Sequence, residues 1–169
     1  SFSYLISTLI DNKKVIISSS THNLQNQLFT KDIPIIAKAL DINVSSTIVK
    51  GMNNYLCKSR YENTINQISE YLSKEEIQEF LPLVIWSNFT KTGDVSECNG
   101  FRARDNEKIW NLVKFEMETC SISNGSYHEN CFYQNMLKNA KESNLLVVNH
   151  ALLVSSLNKQ NGLIDGDTV

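Results

Sequence analysis

Two short apolar runs, far apart in the chain, constrain its fold more than any other feature. "KKVIISSS", residues 13–20, and "LLVV" within "NLLVVNHALL", residues 144–153, each read as a buried strand bounded by small or polar residues. A helical pattern follows each. Thr21 is a natural N-cap for "THNLQNQLFTKDIPIIAKAL", which should break near Pro34, and "NHALLVSSL" opens a second helix. The first eleven residues read as the end of an amphipathic helix. Strand followed by helix at both ends is the alternation of a parallel α/β sheet. From Lys50 to Asn139 no segment has convincing strand character. The predicted fold class is α/β, a parallel sheet domain interrupted by a mostly helical insertion. Residues 1–49 and 143–169 form the sheet domain and residues 50–142 the insertion.

Within the insertion, "SRYENTINQISEYL" and "SKEEIQEFLPLVIW" have helical spacing. Ser73, with Glu76 three residues on, predicts a capping box for the second. "NFTKTGDVSECNG" is a polar loop. "RDNEKIWNLVKFEME" reads as a helix with Ile109, Leu112, Val113 and Met117 on one side, and another helix runs through "CFYQNMLKNAKE".

Composition excludes some functions and leaves others to local clusters. The net charge is −2, so no global basic signature marks a nucleic-acid binder. Arg102, Arg104, Lys108 and Lys114 form a local basic group whose plainer reading is a solvated helix face. The longest apolar run, "LPLVIW", is far shorter than the roughly 18 residues of a membrane span, so no membrane association is expected. No secretory signal is visible, and the chain opens on Ser1 rather than Met, as expected of a fragment or a processed chain. Four cysteines are too few for a disulfide scaffold and read as reduced thiols or metal ligands. His22 and His150 read as packed or hydrogen-bonded residues. No complete phosphate-binding loop or HExxH motif occurs.

Four pieces occur in order: "VIISSSTHNLQNQLFTKDIP", "KGMNNYLC", "TGDVSE" and "CFYQNMLKNAKESNLLVVNHALL". Together they make the chain resemble the DinG/XPD-type superfamily 2 DNA helicases, on the bacterial DinG side, from Ser1 to about Leu153. In that family an iron–sulfur domain is inserted into the first motor domain, a P-loop NTPase (RecA-like) sheet. The resemblance implies that the chain is a fragment of motor domain 1. Its intact protein would translocate on single-stranded DNA, 5′ to 3′, and unwind duplexes in repair or replication. It would work in the cytoplasm as a monomer, on single-stranded and forked DNA, with a second motor domain in cis. A catalytically inactive module that binds single-stranded DNA or a partner is the alternative.

The resemblance also implies residue roles. Ser1 falls where the hydroxyl of GK[ST] ligates the Mg²⁺ of ATP, and "LIDGDTV" stops before the expected DEAH carboxylates, so the fragment would not hydrolyse ATP alone. Ser19, Ser20, Thr21, Asn23 and Gln25 match the motif that touches the DNA backbone, and Lys50, Lys58 and Arg60 could meet phosphates. Cys57, Cys120 and Cys131 match three of four ligands of a [4Fe–4S] cluster. Gly125 stands where the remaining cysteine belongs, and His128 is the candidate substitute. Retained cluster, metal-free packing, and zinc on Cys57, Cys120, His128 and Cys131 all stay open. Cys98 reads as a small core residue. Tyr55, Phe132 and Tyr133 read either as a stacking platform for bases or as a hydrophobic cover for the cysteine loop. Asn149 and His150 follow the buried strand, at the edge where α/β sites are built.

Overall fold

A computed structural model describes residues 5, 6, 9, 14–119 and 130–157. In chain order its elements are β1 Val15–Ser19, α1 His22–Gln27, α2 Ile33–Ala39, β2 Ser46–Ile48, α3 Lys58–Asn66, α4 Ile68–Tyr71, α5 Lys74–Ser87, α6 Glu107–Val113, α7 Phe132–Glu142, β3 Leu145–Asn149 and α8 His150–Leu157. The chain divides into two units, with boundaries at Lys50/Gly51 and Asn135/Met136. The second boundary falls inside α7, ahead of the residue 142 read from the sequence.

The first unit is α/β. Its three strands are all parallel, in the order β1-β3-β2. β3 is central, and Leu145 to Val148 are 0–2% exposed. A strand buried on both faces needs a continuous apolar run, which is what "LLVV" supplies. Leu5, Ile17, Leu28, Ile33, Ile36, Leu145 and Val147 form the core on the helical side, with Val15, Val44 and Ile48 against it. Helices α1 and α2 are joined by a π-helical turn, Leu28–Asp32, in which Ile33 N–H donates to Leu28 O. The break expected near Pro34 takes this form. Proline has no N–H to donate and tolerates the first turn of a new helix, so α2 restarts around it.

β2 was not expected from the sequence. Three residues of Ser-Thr-Ile carry little hydrophobic signal, and pairing comes from outside the strand. Val49 N–H donates to Val147 O at 2.8 Å, and both Asn144 and Leu145 N–H groups reach Ser45 O at 3.0 Å.

The second unit is mostly helical. The capping box of α5 is present: Ser73 Oγ accepts from Glu76 N–H at 3.3 Å and Ser73 N–H donates to Glu76 Oε2 at 2.8 Å. Lys108 Nζ also reaches Glu76 (2.8 Å), which ties α6 to α5. Helix α6 is shorter than predicted. It ends at Val113 because Lys114 forms an antiparallel bridge with Leu56 and Phe115 N–H donates to Tyr55 O at 2.7 Å. Ile109 and Val113 are buried as expected, but Met117 lies beyond the helix and is 53% exposed. Tertiary pairing overrode local helical spacing there.

Two predictions follow from the packing. Leu145→Ala removes a fully buried side chain from the central strand and should cost about 2–5 kcal/mol, read as a lower urea midpoint at unchanged slope. The second concerns Glu116, whose carboxyl is held below its ordinary range by the Arg60 guanidinium hydrogen-bonded to it. A depressed folded-state value means the contribution is complete above the unfolded value and is lost as pH falls through the folded one. Exposure of Glu116 and solvent screening keep it modest. Denaturation midpoints from pH 6 down to pH 3 should therefore fall further for the wild type than for Glu116→Gln.

Candidate nucleic-acid interface and cysteine pair

In the first unit, the carboxyl ends of β1 and β3 are level, since Ser19 is in register with Asn149. Each strand runs directly into a helix start. Thr21 caps α1, its Oγ1 accepting from Leu24 N–H at 3.2 Å, as the sequence predicted. Asn149 Oδ1 accepts from Leu152 N–H at 2.6 Å at the start of α8. Ser18 Oγ and His150 Nδ1 share a hydrogen bond at 2.6 Å, which locks the two strand ends together. His150 is thus hydrogen-bonded, as read. The side chain of His22 lies outside the described residues.

Burial divides the expected backbone-contact residues. Ser20, Thr21 and Asn23 are exposed. Ser19 is 3% exposed, with its hydroxyl on Thr21 O at 3.2 Å, and Gln25 is 0% exposed. Lys50 is 1% exposed. Alternation in a strand and helical spacing explain the split: Ser19 points inward two residues after Ile17, and Gln25 falls on the buried face shared with Leu28. A phosphate approaching this edge meets Ser20, Thr21 and Asn23, and no surface of the buried three.

In the second unit, Tyr55–Leu56–Cys57 is clamped between two other segments. Leu56 N–H donates to Gly93 O and Cys57 N–H to Val113 O, both at 2.8 Å. Cys57 and Cys131 are both buried, at 3% and 6% exposed. Residues on either side of Cys57 meet the two residues that follow Cys131. Tyr55 and Tyr133 rings lie 5.6 Å apart, and Lys58 Nζ sits 4.7 Å over the Phe132 ring. Phe115 closes on Tyr133 at 4.6 Å. Tyr55, Phe132 and Tyr133 are 2–7% exposed, so they present no open face to a base.

Gly93 lies directly against Phe132. Its φ is +69°, and a Cβ there would stand 2.3 Å from Phe132 Cγ, so only glycine lets the "TGD" turn approach the ring.

Cys57 and Cys131 are both free, buried thiols. Cys120, Gly125 and His128 lie outside the described residues, as does Ser1. Among the described residues no group of three His, Cys, Asp or Glu is placed to hold a metal ion. Cys98 is a core thiol: it is 5% exposed, its Sγ donates to Pro82 O at 3.7 Å, and burial pushes its pKa up.

The other expected cations are engaged within the unit. Arg60 donates to Leu112 O, Asn111 O and Thr119 Oγ1 and pairs with Glu116, so it caps α6 rather than facing solvent freely. Lys58 is half-buried over Phe132. In the basic group, Lys108 pairs with Glu76 and Lys114 with Glu116, while Arg102 and Arg104 are exposed. No helix among the described residues is long and apolar enough to cross a membrane.

No protein-family profile matches the chain. Individual relatives do. It is 36% identical over 156 residues to the ATP-dependent DNA helicase YoaA of Haemophilus influenzae, covering 92% of this chain and 24% of that protein. It is 32% identical over 156 residues to the YoaA of Escherichia coli, with the same coverage. To the 3'-5' exonuclease DinG of Bacillus subtilis it is 30% identical, over 90% of this chain and 16% of that one. The chain thus spans about a quarter or less of the length of the relatives it matches. Over nine-tenths of its own length it is homologous to a segment of the YoaA and DinG proteins.

Proposed function

We propose that this chain is part of the first motor domain of an ATP-dependent DNA helicase, RecA-like in fold, carrying the helical unit as an insertion. The observation that carries the reading is the match to relatives named ATP-dependent DNA helicase across nearly the whole chain. The same segment also matches proteins named exonuclease, so it is what the two groups share and gives no ground for assigning nuclease chemistry to this chain.

In the intact protein ATP and Mg²⁺ bind between two motor domains, with Ser1 as a hydroxyl ligand of the metal. Hydrolysis drives translocation on single-stranded DNA, 5′ to 3′, and the insertion acts as a wedge at a fork. The setting is cytoplasmic repair or replication, with the protein acting as a monomer. Ser20, Thr21 and Asn23 hold the DNA backbone. Short hydroxyl and amide groups beside a helix start suit phosphate oxygens, and they position the strand without reading its sequence. The Ser18–His150 bond joins this edge to the end of the central strand, so that β1 and β3 move as one. Lys50 is buried, Lys58 sits over Phe132 and Arg60 pairs with Glu116, so this reading assigns none of the three a phosphate contact.

Cys57, Cys120 and Cys131, with His128 in place of the cysteine absent at Gly125, hold a [4Fe–4S] cluster in this reading. The cluster would serve as a structural staple for the loop between them.

The function is tested by ATP hydrolysis of the intact protein with and without single-stranded DNA. Strong stimulation is expected, and hydrolysis indifferent to DNA would sink the reading. Thr21→Val combined with Asn23→Ala should weaken single-stranded DNA binding several-fold and raise the DNA concentration for half-stimulation, leaving DNA-free hydrolysis unchanged. Anaerobic purification with iron, sulfide and zinc counts tests the cluster. About four irons, lost in Cys131→Ser, are expected; a metal-free wild type refutes it.

A further inference from the structure

The edge assigned to the DNA backbone has no charged member. Ser20, Thr21 and Asn23 are uncharged, and the elements that build the edge hold few ionisable groups. β1, "VIISS", and β3, "LLVVN", have none. α8, "HALLVSSL", has only His150. α1, "HNLQNQ", has His22, whose side chain lies outside the described residues. The lysines that adjoin these strands, Lys14 and Lys141, stand at their opposite, amino ends, where Lys14 Nζ donates to Lys141 O at 3.4 Å. Lys50 follows β2, which lies on the other side of β3 from β1, and is 1% exposed. His150 is exposed.

Two contacts fix where His150 stands. Its Nδ1 lies 2.6 Å from Ser18 Oγ. Ser19 is in register with Asn149, so Ser20 and His150 each leave the sheet one residue beyond the same pair. Neighbouring strands are about 5 Å apart. The ring is therefore within about one Debye length, roughly 8 Å at physiological salt, of a backbone held at Ser20.

Histidine is the side chain whose charge ordinarily changes between about pH 5 and 8. A serine hydroxyl suits both states of the ring. It donates to Nδ1 of a neutral imidazole and accepts from Nδ1–H of a charged one. Protonation thus adds a positive charge at this edge without releasing the bond that holds the ring in place. A nearby anion favours the charged ring, so by reciprocity the charged ring favours the anion. Affinity for a phosphate backbone must then rise as pH falls.

We propose that His150, held by Ser18, makes the grip of this edge on single-stranded DNA proton-sensitive, its charged ring strengthening the hold of Ser20, Thr21 and Asn23 on the backbone. The proposal rests on the helicase reading and adds a regulation to the same edge.

The test is fluorescence anisotropy of the full-length protein with a labelled oligo-dT, titrated at several salt concentrations at pH 8 and pH 6. From pH 8 to pH 6 the wild type should bind about two- to fivefold more tightly. Its slope of log affinity against log salt should steepen by about 0.7. His150→Gln, which can still meet Ser18 but does not titrate, should lose both changes. His150→Arg, permanently charged, should show the steeper slope at both pH values. Ser18→Ala keeps the imidazole but frees it, so the pH response should shrink, and this variant serves if His150→Gln does not fold. His22→Gln should respond as the wild type does. A full pH response in His150→Gln or in Ser18→Ala overturns the proposal, and so does its loss in His22→Gln. A wild type that binds oligo-dT equally at both pH values overturns the proposal and leaves the helicase reading standing. A wild type that binds no oligo-dT at either pH overturns both.

Discussion

Everything in the first unit depends on β3. β1 and β2 do not pair with each other; each forms its ladder on β3, which arrives from the far side of the insertion. The sheet therefore closes only after the whole helical unit has been traversed, a non-local contact whose loop-closure cost grows slowly with length but must be met before any pairing is gained. Side chains reinforce the seam. Ser143 Oγ lies 2.8 Å from Thr47 Oγ1 and donates to Asn139 O, linking the approach to β3 with β2. With four successive residues of β3 nearly inaccessible to water, the burial of this strand is the largest single apolar contribution to the sheet.

The helical unit has its own organising contact, and it is also extended backbone. Tyr55–Cys57 is held between the Gly93 turn and the segment after α6, and the Tyr55 ring meets Tyr133 in α7. Tyr55, Phe115 and Tyr133 pack ring against ring, and both thiols are buried.

Much of this was legible in the residues. β1 and β3 announced themselves as apolar runs followed by helices, and Thr21 and Ser73 announced their caps, because capping chemistry is local. What was missed is what tertiary contacts decide. β2 is three residues long and draws its pairing from β3. Helix α6 stops early because Lys114 and Phe115 are recruited to the Tyr55–Cys57 clamp. In the candidate interface, matching residues by type named Ser19, Gln25 and Lys50 alongside Ser20, Thr21 and Asn23, but type does not report which side of an element a residue faces. Strand alternation from the buried Ile17 would have separated Ser19 from Ser20. Arg60 looked like a phosphate ligand and turned out to cap α6 across a long sequence separation, for which no local signal exists.

The physical picture is of a parallel sheet that offers short polar groups at its carboxyl edge, and a helical unit with buried thiols and a packed aromatic cluster. Both units fall within the nine-tenths of the chain that is similar to YoaA and DinG proteins. The most direct test is strand displacement by the intact protein on duplexes carrying a single-stranded tail at one end only. The account predicts ATP-dependent displacement from 5′-tailed duplexes and little from 3′-tailed ones. Displacement from neither, or displacement that proceeds without ATP, would contradict it.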